Sequence, residues 1–249
     1  VTTSTRTDVD GAIALTGAGT VTLDAATVSG VNIGTGGGVI TLGGVFVTDT
    51  GAVEIDATDG GNVAAGANVD FDNTVTLGGA LTVNGGAVGN VSFDNTVGIT
   101  THNLTVTNSA ITALSNTLSG STGNVDFTTQ TRTDVDGAIA LTDAGTVQMD
   151  DATISGVDIT TVGGNITFDE NVVNDGNADI AIGTGGSGAG NVVITGTTTL
   201  NDTGATNDLT ITAGTGNVTL TGLATITDND LTVANAGILT LTGGIGGST

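Results

Sequence analysis

The chain has 249 residues, 43 of them Gly, no Pro, Cys, Trp or Tyr, five Phe, and a formal net charge of −23 from 25 acidic residues against two Arg. A hydrophobic fraction of 37% excludes a disordered chain, and the scarcity of aromatic and basic side chains sets it apart from ordinary globular enzymes. The same acidity argues against nucleic acid and against anionic membrane surfaces as partners.

The chain opens on a segment that it repeats. Residues 5–16, TRTDVDGAIALT, return unchanged at 131–142, and residues 5–44 match 131–170 at 28 of 40 positions. The pairs Val21/Val147, Leu23/Met149, Val28/Ile154, Ile33/Ile159 and Leu42/Phe168 stay apolar, whereas Thr22/Gln148, Ala25/Asp151 and Asn32/Asp158 drift. The first set behaves as a buried face and the second as a wet one. They alternate at period two, which predicts strands.

In chain order, apolar-x-apolar triplets stand at 13–15, 21–23, 31–33, 40–42, 53–55, 69–71, 75–77 and 81–83. They continue at 91–93, 97–99, 125–127, 180–182, 218–220 and 239–241, separated by Gly, Asn, Asp and Thr, which are turn formers. A shorter echo sets the inner period: 69–75, VDFDNTV, becomes VSFDNTV at 91–97. A period near 21 residues divides the long repeat into about six turns.

Strands of three residues are too short for a sandwich, but each can pair with its counterpart one turn above and below. The expected fold is therefore all-β, a parallel β-helix (β-solenoid) of about twelve coils with no helix. Absence of Pro agrees, since Pro removes a ladder donor. Residues 1–249 are expected to form one continuous solenoid, with a first tandem unit at 5–130 and a second at 131–249. No apolar run reaches membrane-spanning length. The start at Val1, without Met or a signal pattern, reads as a processed chain or a window of a longer array.

Asn229-Asp230-Leu231-Thr232-Val233, followed by GILTLTGG at 237–244, is of a kind found along nearly the whole chain. In this style the chain resembles the β-helical passengers of bacterial surface adhesins and fibres, of the filamentous-haemagglutinin and autotransporter type. The resemblance implies an extracellular, cell-surface fibre or stalk and no catalytic residue to carry over.

Candidate metal ligands are acidic turns with oxygen donors at alternate positions. Asp8 and Asp10 precede Gly11, Asp134 and Asp136 precede Gly137, and Asp175, Asn177 and Asp179 form a third set. Ca2+ is the candidate cofactor because carboxylate and amide oxygens suit it. The plainer reading is Asp at a corner before Gly, and the closing Glu of an EF-hand is missing. The glycine run at 185–190 lacks the Lys of a phosphate loop and reads as a corner. Arg6 and Arg132 are expected to pair with nearby Asp, His102 to sit at a solvated corner, and Met149 to fill core.

Four functions follow. A structural fibre segment that stacks head-to-tail on further copies of itself leads. A glycan- or receptor-binding adhesin module would use the variable corners. Thr-x-Thr pairs such as Thr219/Thr221 and Thr240/Thr242 match the ladders of ice-binding solenoids, although Thr also suits any wet strand face. A polysaccharide lyase or glycosidase would need basic groups and aromatic platforms, and these are mostly missing.

Overall fold

The computed structural model describes residues 6–129, 131–176, 178–186, 188–201 and 207–248. Among them the chain forms thirty-three short strands and no helix. Each strand pairs in parallel with the third strand after it, which makes three sheets wound as a β-solenoid of about eleven turns. The physical cause is the triplet. Two inward apolar residues per strand bury a side, and the Gly- and Asn-rich corners let the chain bend before the next triplet.

Contacts cluster the chain into two compact units: Val1–Ser119 with Asp126–Arg132, and Gly120–Val125 with Thr133–Thr249. In the first unit, one sheet stacks Thr7–Val9, Ala26–Val28, Phe46–Thr48, Val75–Leu77 and Val97–Thr100. A second stacks Ile13–Leu15, Ile33–Thr35, Val53–Asp56, Leu81–Asn84 and Leu104–Asn108. The third stacks Val21–Leu23, Ile40–Leu42, Val69–Phe71, Val91–Phe93 and Ile111–Leu114. The shorter echo is therefore one coil: Val69 pairs with Val91, Asp70 with Ser92 and Phe71 with Phe93.

The second unit repeats the scheme. Its sheets include Ile139–Leu141, Ile159–Thr160, Ile180–Gly183, Leu209–Thr212 and Leu231–Ala234 in one. Another holds Val147–Met149, Ile166–Phe168, Val192–Ile194, Val218–Leu220 and Leu239–Leu241. The last runs from Arg132–Val135 through Ala152–Ile154, Val172–Asn174, Thr198–Asn201 and Ala224–Thr227 to Ile245–Ser248.

Thr7–Val9 is the first strand in chain order, and Arg132–Val135, which carries its sequence copy, is the eighteenth. The step of seventeen is not a multiple of three, so the long repeat does not close on the whole number of coils that its period suggested. Coil length varies because the ladder holds strands and leaves corners free. Thr7 pairs with Ala26, but Ile40 pairs with Val69, the coil between them carrying the long corner at 57–68.

The core is mostly aliphatic. The inward ends of the triplets, such as Ile33, Ile55, Val83, Ile154 and Val192, are fully buried. Each contributes roughly 1.5–3 kcal/mol relative to exposure. All five Phe are buried, and in the first unit they stack. Phe71 lies 4.8 Å from Phe93 at 12°, and Phe46 meets Phe71 edge-on at 5.4 Å. Such pairs add about 0.5–1.5 kcal/mol each. Met149 is buried and pairs with Phe168, so it is core, as expected.

Corners are laddered too. In the second unit the Asn165 side-chain oxygen accepts from the Asn191 amide at 2.8 Å, and Asn191 does the same for Asn217. A side chain on one coil thereby satisfies a backbone donor on the next. One expected triplet is displaced: 31–33 was the apolar pattern, but the strand is Ile33–Thr35. Thr35 points inward and its hydroxyl donates to the Gly38 carbonyl at 2.5 Å, an arrangement that hydrophobic spacing cannot signal.

Candidate functional site

The sequence-derived calcium candidates are placed as follows. Asp8 lies mid-strand, exposed, with its carboxylate 2.9 Å from Arg6 Nε, which is the pairing expected for that Arg. Asp10 and Asp136 are exposed after their strands, and Asp134 lies mid-strand in Arg132–Val135. Asp175 accepts from the Ser155 hydroxyl at 2.9 Å, and Asp179 accepts from the Asp208 amide at 3.1 Å. Asn177 lies outside the described residues. Among the described residues no three His, Cys, Asp or Glu converge as metal ligands would. His102 is half-buried in a turn, its amide donating to the Ile99 carbonyl at 2.7 Å.

A different group is brought together in the first unit. Strand Val53–Asp56 leads into the long corner at 57–68, and the Asp56 carboxylate organises its start. One oxygen accepts from the Thr58 amide at 2.9 Å and from its hydroxyl, and the other accepts from the Gly60 amide at 2.6 Å. The Thr58 hydroxyl in turn accepts from the Gly61 amide and from Asn84 Nδ2, both at 3.0 Å. Asp59 takes a left-handed backbone, φ 53°, and its amide donates to the Thr35 carbonyl at 2.9 Å. This network ties the corner to the sheet beside it.

A cleft of about 230 Å³ opens against that corner. Ala12, Ala14, Leu15 and Gly34 line it together with Glu54, Asp56 and Asp59. Ala14 pairs with Gly34, and Gly34 with Asp56, so small residues leave a trough where the following coils carry Asp56 and Asn84. Glu54 is held from the side, its Oε2 accepting from Asn32 Nδ2 at 2.9 Å. Sequence reading passed over Glu54, Asp56 and Asp59. The available signal was Asp followed by Thr two residues on and then Gly-Gly, an Asx turn at the end of a strand.

No protein-family model, curated protein or solved structure matches this chain. It stands as a β-helical tandem-repeat protein on its own geometry.

Carboxylates also stack on outer faces. Burial pushes the Asp70 carboxyl up, the Ser92 hydroxyl donating at 3.0 Å pulls it down, and the charges of Asp72 and Asp94 push it up again. Glu170 is raised by its hydrogen bond with Asp151 and that residue's charge, then by slight burial and by Asp150 and Asp169. Amide groups separate these charges: Asp151 accepts from Asn171 Nδ2 at 2.7 Å, and Asp169 accepts from Gln148 Nε2 at 2.7 Å.

Two further surfaces bear on function. On one sheet of the second unit, Thr219 sits in register with Thr240, continuing Thr167 and Val193. Leu231–Ala234, Leu239–Leu241 and Ile245–Ser248 are each last in their sheet. Ile238, Leu239, Leu241 and Ile245 stand 62%, 45%, 42% and 56% exposed, whereas the equivalent inward residues one coil back, Val218 and Leu220, are buried.

Proposed function

We propose that this chain is a segment of an extracellular fibre, stalk or adhesin whose coils stack end to end. The observation that carries the reading is coil-on-coil stacking: each strand pairs in parallel with its counterpart in the next coil, and the inward aliphatic residues of successive coils form one core. A coil of one copy set against a coil of another gains ladder hydrogen bonds and apolar burial together. Stacking of this kind runs head-to-tail, which yields filaments instead of closed rings. It needs coil-on-coil fit and no whole-number repeat.

Charge opposes the assembly, because a formal −23 repels its own copies. Filaments are therefore expected at raised ionic strength. Negative-stain microscopy and sedimentation of the chain should show rods that lengthen with salt. Monodisperse particles of the unsubstituted chain at all salt concentrations would sink the reading.

A second reading, ice binding, draws on the register of Thr219/Thr221 with Thr240/Thr242. Its column is short, and Val193 interrupts it. Thermal-hysteresis measurement separates the two.

A further inference from the structure

The acidic cleft of the first unit has the makings of a receptor for an organic cation. Glu54, Asp56 and Asp59 border it, yet no three carboxylates among the described residues converge on a point that a metal ion could share. Between them lies about 230 Å³ of space over a floor supplied by Ala12, Ala14, Leu15 and Gly34. Negative groups spread round an apolar trough suit a charge carried on an aliphatic stem. The stem covers the floor and the head reaches the rim. The chain cannot fill this place from its own cleft lining: it has no Lys, and neither of its two Arg lines the cleft.

We propose that this cleft binds a basic side chain, Lys or Arg, presented by a partner protein. Asp56 already accepts three hydrogen bonds and serves to hold the corner, so Glu54 and Asp59 make the charge contacts. Gly34 keeps the floor low. A Cβ there would meet nothing nearer than the Asp56 carbonyl at 3.5 Å, so a larger side chain is admitted and occupies the trough. The second tandem unit lacks these acidic residues at the matching sequence positions. Strand Ile180–Gly183 is the sequence counterpart of Val53–Asp56, and Ala181 and Gly183 stand where Glu54 and Asp56 do. Exposed ion pairs are weak, so the affinity for a single group is on the order of millimolar.

The test uses the whole chain and two probes, n-butylammonium and n-butylguanidinium, followed by NMR shifts at low ionic strength. The expected result is saturable binding at one site, with shifts confined to residues 12–15, 34 and 54–60. G34V and E54Q should each weaken it by about fivefold or more while leaving the melting temperature unchanged. Preference for one probe tells Lys from Arg. Shifts spread over every acidic corner, or G34V binding as tightly as the unsubstituted chain, would mean diffuse counter-ion attraction and overturn the proposal. Ligand binding reports on the cleft and particle length reports on end-to-end stacking, so failure of one is distinguishable from failure of the other.

Discussion

Asp70 shows how one residue can work against its own fold. Its carboxyl is raised from the ordinary 3.8, by burial first and by Asp72 and Asp94 after it. A raised value means that the folded chain holds this proton more tightly than the unfolded chain. The associated stability is present in acid and is lost as pH rises through the folded value. Asp70→Asn removes the charge and keeps an acceptor for Ser92. The variant should be more stable than the unsubstituted chain at neutral pH by roughly 0.5 kcal/mol, with the difference vanishing in acid, as urea midpoints across pH will report. At this scale the sequence was legible where a residue faces the core. Met149 and the apolar pairs of the repeat are buried as their substitution pattern implied. It was silent on inward Thr. Thr48 is buried, its hydroxyl donating to the Gly79 carbonyl at 2.8 Å and accepting from the Gly79 amide at 3.0 Å.

Strands and corners respond differently to the same substitution. Gly60 and Gly66 share φ 64°, so an Ala at either meets the same left-handed strain, about 1–2 kcal/mol. Their surroundings differ. A Cβ at Gly60 meets nothing within 4 Å, whereas at Gly66 it would lie 1.9 Å from the Gly85 carbonyl oxygen of the next corner. Gly60→Ala should cost only the backbone strain. Gly66→Ala should cost roughly twice that or more, since backbone must move, and denaturant unfolding of the pair isolates the packing of corner on corner. Strands with two apolar inward residues, such as Val21–Leu23 and Val91–Phe93, were visible as triplets. Phe46–Thr48 and Thr198–Asn201 were not, because Thr takes one inward place and a hydrophobic pattern cannot count it.

The whole molecule is a balance between ladder and charge. Parallel stacking puts the corners of successive coils next to one another, and some of these neighbours are both negative: the Asp208 amide donates to the Asp179 carboxylate and the Asp230 amide to that of Asp208. Salt should therefore stabilise the fold. Between about 0.01 M and about 0.5 M NaCl the screening length falls from roughly 30 Å to below 10 Å, and the melting temperature should rise by several degrees. A melting temperature independent of salt would show that the stacked carboxylates are already compensated by amides, as Asp151 is by Asn171.

From the residues alone came the solenoid: short period-two triplets, turn formers between them, no Pro, and a motif recurring one coil later at Val69–Phe71 and Val91–Phe93. Those features are local, and a parallel ladder of such triplets is the arrangement that buries them and pairs their backbone. Tertiary structure alone decided how many strands the long repeat spans, which corners grow, and where small residues leave a trough. Coil-to-coil register depends on pairing between distant segments. The cleft arises because Ala14, Gly34 and Asp56 come into one column and the corner that Asp56 holds stands beside them.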